Sequence, residues 1–123
     1  MGSWTEITSI EAPQKALEGQ VVNVRVTVKN IYSQSLWVVV TGYVDGSEFP
    51  QPLAEIPGGG SYTFDFYFYM PAWDIFLQFW SFIWLVYPDQ PGYWQVDDYR
   101  TASVLLEVTV DFSEFKITDY IKV

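Results

Sequence analysis

The sequence contains neither cysteine nor histidine. The first absence rules out disulfide staples and thiolate metal sites. The second removes the usual general base, the usual transition-metal ligand and every nucleophilic triad that relies on imidazole. Positive charge is scarce as well: six Lys and Arg stand against 15 Asp and Glu, a formal net charge of −9. A surface of that sign repels phosphate, so nucleic acid and anionic lipid are disfavoured as partners. Cationic partners, calcium and neutral glycans stay open, although acidity alone is most simply a solubility device. A long hydrophobic run is also missing. The longest apolar stretch, residues 75–87, is interrupted by Gln78 and Ser81 and falls short of the ~20 residues of a membrane helix. No membrane insertion is expected. The opening MGSWTEITSI has neither the basic nor the apolar region of a secretory leader, so no signal peptide is legible there.

Against these gaps stands a surplus of rings. Half of the 123 residues are apolar and 20% are aromatic, with 17% charged, which is remote from a disordered composition. Six Trp, nine Tyr and nine Phe offer more ring area than the core of one small domain readily shelters. The length suits one domain with its own core. No linker, low-complexity tract or internal repeat divides it, so residues 1–123 are expected to form a single domain.

Turn residues arrive at short intervals: Pro13, Gly19, Asn30, Asp45-Gly46, Pro57 with Gly58 to Gly60, Pro71, Pro88 and Pro91-Gly92. Between them lie runs rich in Val, Ile, Tyr, Phe and Trp, the rhythm of short antiparallel strands. In residues 21–29, Val22, Val24, Val26 and Val28 alternate with Asn23, Arg25, Thr27 and Lys29, giving one dry and one wet face. Residues 36–44 carry β-branched side chains on both faces, as a central strand does. Residues 61–70 place Tyr62, Phe64, Phe66, Phe68 and Met70 on one side, and Val104 and Leu106 continue the pattern further on. Residues 114–123 could add a last strand, or one donated to a neighbour's sheet edge. No 3.6-residue period is sustained. The pattern is that of an all-β sandwich or barrel of short antiparallel strands.

Residues 74–87 break the usual rule. Ile75, Leu77, Phe79, Ile83 and Leu85 make one apolar face; Phe76, Trp80, Phe82, Trp84 and Val86 make a second, more aromatic one. Sandwich strands normally keep a polar outer face, so this strand requires a cover on both sides. Two internal remedies are conceivable: a bulge near Ser81 that shifts the phase, or the Pro-rich segment 49–57 folding back over the strand. The expectation is instead that Phe76, Trp80, Phe82, Trp84 and Val86 form an interface with a second copy or a larger assembly, since contiguous exposed apolar patches mark interaction sites and Trp is a frequent anchor. A second set, Tyr43, Trp73, Tyr93, Trp94 and Tyr99, is expected in or beside loops, where flat rings could stack on sugars.

Other chemistry finds little support. Asp45, Glu48, Asp89, Asp97 and Asp98 are the acids that loops could offer to calcium, but no D-x-D-x-D-G run exists and turn acids in solvent are the simpler reading. Asp97-Asp98 is the only adjacent acidic pair, and neighbours on a strand point to opposite faces, which separates acids that would have to cooperate. Gly58 to Gly60 precede a strand, whereas a phosphate loop opens a helix. No catalytic residue, metal or cofactor is expected.

Three segments carry a family likeness. EGQVVNVRVTVKN (residues 18–30), YVDG (43–46) and IPGGGSYTFDFYF (56–68) resemble, within residues 11–69, the bacterial and archaeal immunoglobulin-like modules of the CARDB kind. There a glycine turn opens a strand ending in a V-x-N element, followed by a D-G hairpin and a P-G turn before an aromatic strand. MPAWDIFLQFW (70–80) and YWQVDDYRTAS (93–103) are more similar to small stand-alone immunoglobulin-like proteins of phages and microbial surfaces. The resemblance implies an immunoglobulin-like antiparallel β-sandwich of seven to nine strands and a non-catalytic accessory role: a virion or surface-assembly decoration component, or alternatively an adhesion or glycan-binding module, located on a virion or extracellular surface.

Overall fold

The computed structural model describes residues 1–85 and 92–108. Nine strands follow one another without a helix among the described residues: β1 (Thr5–Glu11), β2 (Lys15–Leu17), β3 (Val21–Asn30), β4 (Leu36–Val44), β5 (Ser47–Glu48), β6 (Leu53–Ile56), β7 (Ser61–Tyr69), β8 (Ile75–Leu85) and β9 (Tyr93–Glu107). They form two sheets. The smaller runs β1-β3-β7, and the larger runs β2-β9-β8-β4-β5 with β6 also pairing β4. All pairings are antiparallel except β2 with β9, where Ala16 lies beside Leu106. The fold is the expected sandwich. Residues 114–123 and Val86 lie outside the described residues.

Period-two patterning explains the core. Val22, Val24, Val26 and Val28 of β3 pair in register with Phe68, Phe66, Phe64 and Tyr62 of β7, and all of these but Tyr62 are buried. They face Val38 and Val40 of β4 and Leu77, Phe79 and Ile83 of β8, each fully buried. Phe49 closes the layer: its ring stacks on that of Phe79 at 6.0 Å and 8° and leans on Phe66 at 5.2 Å. This position answers one of the two internal remedies considered for β8. The segment 49–57 does not fold over the outer side of β8. It delivers Phe49 to the interior, and Pro50 and Pro52 line a recess beside Phe66, Tyr67 and Tyr69 of β7.

Two tight connections fix the register of the layers. Asp45 and Gly46 both take positive φ, 48° and 85°, the conformation of a two-residue hairpin turn that suits the twist of its flanking strands. At the far end of β3, Asn30 is fully buried. Its amide nitrogen donates to the carbonyls of Gln34 and Ile56 at 2.8 and 2.9 Å, and its oxygen accepts from Tyr32 N at 2.8 Å. One side chain thereby ties the β3–β4 connection to the end of β6, which is the physical content of the asparagine in the V-x-N element.

The core has no room to spare at β4. Gly42 pairs with Phe79, and a Cβ at Gly42 would overlap the Phe79 ring and lie 3.0 Å from that of Phe49. Overpacking a dense core of this kind costs roughly 1–3 kcal/mol. Gly42→Ala is therefore expected to lower the urea midpoint by that equivalent, with an unchanged m-value.

Candidate functional site

The pleat of β8 sends its two apolar sets to opposite sides. Ile75, Leu77, Phe79, Ser81 and Ile83 are buried, while Phe76, Gln78, Trp80, Phe82 and Trp84 point out of the sandwich. Register then gathers outward side chains from the neighbours. Trp80 lies between Thr41 of β4 and Tyr99 of β9; Phe82 lies between Val39 and Val96; Trp84 pairs with Trp94, and Gln78 with Tyr43 and Thr101. Trp37 extends the face on β4, and Leu53, opposite Val39, extends it on β6. The result is one continuous aromatic sheet face. Phe76 is 47% exposed, Tyr99 45%, Trp94 41% and Trp84 37%.

The rings hold one another in place. Trp80 and Tyr99 lie 4.6 Å apart at 33°, Tyr43 meets Trp80 edge-on at 5.4 Å and 87°, and Trp84 meets Trp94 at 5.2 Å and 63°. Contacts of this geometry add ~0.5–1.5 kcal/mol per pair beyond area burial. Gln78 Nε2 donates to the Tyr99 hydroxyl at 3.1 Å. Thr41, Tyr43, Gly46, Gln78, Trp80, Phe82 and Val96 line a shallow depression of about 510 Å³ on the face. No side chain pointing out from β8, from residues 37–43 of β4 or from residues 94–103 of β9 carries a formal charge. The smaller sheet differs: Asn23, Arg25, Thr27, Lys29, Thr63 and Asp65 cover most of its outer side, with Val21, Tyr67 and Tyr69 exposed at one end, and Arg25 Nε lies 3.3 Å from Asp65 Oδ1.

The two ring sets read separately from the sequence converge here in part. Phe76, Trp80, Phe82 and Trp84 share the face with Tyr43, Trp94 and Tyr99. Of this second set, expected in or beside loops, Tyr43 lies next to the end of β4 and Tyr93 and Trp94 at the start of β9, beside connections, whereas Tyr99 lies well within β9. Tyr93 pairs with Leu85, on the other phase of the pleat from Trp94. Trp73 does lie in a connection, where its indole nitrogen donates to Asp45 Oδ2 at 2.6 Å. That bond ties it to the β4–β5 turn.

A bulge does occur at the level of Ser81, but the extra residue belongs to β9. Ser81 pairs with Asp98 and Phe82 with Val96, so Asp97 has no partner on β8. The alternation of β8 is therefore unbroken and its outer face is not rescued. The bulge changes the phase of β9 instead: without it, Trp94 and Val96 would face the opposite way from Tyr99. It is held by the N-terminal strand. Asp97 accepts from the backbone nitrogens of Ser3, Trp4 and Thr5, at 2.8, 3.2 and 2.6 Å, and from Thr5 Oγ1 at 2.6 Å. The Ser81 hydroxyl, 2.8 Å from Thr5 Oγ1 and accepting from Asp98 N at 3.0 Å, completes the chain. Asp98 takes Ile7 N at 2.7 Å, and Arg100 Nη1 donates to the carbonyls of Ile7 and Thr8. Asp97 and Asp98 thus lie in a strand, not in loops, and the bulge turns both toward β1, correcting the expectation of opposite faces.

The remaining acids are also engaged locally. Asp45 binds Trp73 and Phe76 N, Glu48 accepts from Gln51, and Asp74 accepts from Leu106 N at 2.7 Å. Asp89 lies outside the described residues. Among the described residues no three Asp or Glu side chains gather as a metal group.

No family model matches the chain, and no curated protein matches it in sequence. Solved structures do. The CARDB domain of a Pyrococcus furiosus protein, described in complex with di-metal ions, is 11% identical, with a TM-score of 0.66, 87% of this chain covered and 92% of that one. The exo-chitosanase CsxA of Amycolatopsis orientalis aligns at 13% identity and TM-score 0.62 over 83% of this chain, which spans 13% of the enzyme. The C-terminal domain of wzt aligns at 14% identity and TM-score 0.55, covering 91% of this chain and 79% of that domain. At these identities the likeness is one of fold: the chain has the immunoglobulin-like β-sandwich fold that CARDB domains also have.

Asp97→Ala removes an acceptor shared by four donors, and hydrogen bonds to a charged group are worth ~1.5–3 kcal/mol each before solvent replaces them. The variant is expected to lose on the order of 2–3 kcal/mol of stability and to show faster amide exchange at Trp4 and Thr5. Unchanged exchange there would mean that the carboxylate does not hold the strand.

Proposed function

We propose that this chain is a non-catalytic interaction module whose working surface is the outer face of its larger sheet. The observation that carries the reading is the contrast between the two outer faces. One sets the exposed rings of Tyr67 and Tyr69 beside the charges of Arg25, Lys29 and Asp65 and their polar neighbours, while the other presents Trp37, Phe76, Trp84, Trp94 and Tyr99 to solvent without a formal charge among them. A protein partner that dries this face gains roughly 25 cal/mol for each Å² of apolar surface removed from water. The rings are braced by their neighbours and so have little freedom left to lose on docking. A particle or surface assembly, the setting suggested by the sequence, would supply such a cover. Supporting the non-catalytic part, Asp45, Asp97 and Asp98 are engaged in structural hydrogen bonds, and imidazole and thiol are absent from the chain.

Sugar recognition by the same rings is the less favoured reading. Stacking on successive sugars calls for ring faces laid out flat. Here Tyr43 stands edge-on to Trp80, and Trp84 is steeply inclined to Trp94. That geometry fills space against a contoured protein surface better than it lines a flat platform.

The Trp80→Asp, Trp84→Asp double variant separates a working surface from a structural one. Substitutions outside a core seldom cost more than ~2 kcal/mol. The variant is expected to keep its far-UV CD spectrum and to unfold cooperatively near the wild-type urea midpoint, while its retention on a phenyl matrix falls sharply. Loss of the folded spectrum would show that these rings belong to the core and would overturn the proposal.

A further inference from the structure

The outer face can be asked what shape and charge its cover must have. It carries both relief and recess. Phe76 and Trp84 project at the two ends of the outward row of β8, 47% and 37% exposed, and the depression floored by Thr41, Gln78, Trp80 and Phe82 lies between them. A twofold axis lying in the plane between two stacked faces, across the β8 row, brings a projecting ring of one molecule over the recess of another, and the same operation returns the favour. This is the isologous pattern, in which one patch serves both partners.

Area and charge agree. From Phe76 to Trp84 the row spans about 27 Å at ~3.4 Å per residue, and the four strands β9, β8, β4 and β6 span about 19 Å at ~4.8 Å spacing. The projected footprint is on the order of 500 Å², and the relief of the rings brings the accessible area closer to the roughly 800 Å² per partner of a standard interface. The chain's −9 charge would oppose the approach of two copies by any other route, yet the central face is free of formal charge. Stacking there places acids such as Asp45, Glu48 and Glu55 at or beyond the rim, where water and salt screen them.

We infer that the occupant of this face is a second copy of the chain, so that the molecule works as a back-to-back dimer of four sheet layers. The inference rests on the reading of the face as a docking surface and adds to it the identity of the partner. Because the contact is uncharged while the two bodies repel, salt acts in an unusual direction: raising it strengthens the dimer. Docking of an acidic protein on a basic partner would weaken with salt instead.

Sedimentation equilibrium of the full chain, from about 1 to about 200 µM, a range that brackets typical weak-dimer constants, reads the outcome. The expected result is a reversible shift from 14.2 kDa toward twice that mass, with the dissociation constant falling several-fold between 0.05 and 0.5 M NaCl. The folded Trp80→Asp, Trp84→Asp variant is expected to stay monomeric throughout. A wild-type protein that remains monomeric at every concentration and salt overturns the dimer, while the folding of the double variant still reports independently on whether the face is a docking surface. A dimer that survives in the folded double variant also overturns it, because the contact would then lie elsewhere. A dimer that weakens with salt contradicts the uncharged contact and overturns it as well.

Discussion

The pleat of a β-strand sends successive side chains to opposite faces, and β8 has apolar residues at nearly every position. A sandwich has one interior. Whatever the chain does with Ile75, Leu77, Phe79 and Ile83 inside, it must leave Phe76, Trp80, Phe82 and Trp84 outside. The rest of the molecule is arranged around that constraint. The inward set supplies the centre of the core, where Phe79 meets Phe49 and Phe66 and forbids a side chain at Gly42. The outward set recruits Tyr43, Tyr99 and Trp94 through strand register, so that the exposed rings are neighbours and not isolated features. Scattered exposed apolar residues need no explanation, but a contiguous patch does.

The second organising element is polar. β1 joins the smaller sheet by backbone pairing with β3, and it is fastened to the larger sheet by side chains. Asp97, Asp98 and Arg100 take backbone donors and acceptors along its free edge, so that side chains close this side of the sandwich. The same Asp97 is the extra residue of the bulge that turns Trp94 and Val96 outward. Fold closure and the composition of the outer face are therefore coupled through one carboxylate. A buried hydroxyl pair, Thr5 with Ser81, completes the link and leaves neither hydroxyl without a partner.

Much of this was legible in the sequence. The alternations in residues 21–29 and 61–70 marked the two strands β3 and β7 that pair in register, and the two-sided apolar character of residues 75–85 located the strand with an outer ring face. The D-G turn and the buried Asn30 fell where the CARDB-like elements implied. Other features were not legible, for physical reasons. The parallel pairing of Lys15–Leu17 with β9 is a three-residue contact that no local pattern marks. The charged and polar residues around Asp97 and Asp98 read as loop, because a strand whose acids accept backbone hydrogen bonds from another sheet looks hydrophilic. The same misreading drew Tyr99 toward a loop and hid that it and Trp94 belong to the face. A bulge was anticipated at the right level but on the wrong strand, since periodicity within β8 cannot report an insertion in its partner.

The central claim is that the outer face of the larger sheet is covered when the protein is in its working state. Hydroxyl-radical footprinting read ring by ring tests it directly. The account predicts that oxidation of Trp84, Trp94 and Tyr99 slows as the protein concentration rises, while Tyr67 and Tyr69 on the smaller sheet, which are more open still in a single molecule, stay fully reactive. Reactivity of the three rings that is independent of concentration, or protection appearing at Tyr67 and Tyr69 in their place, would contradict it.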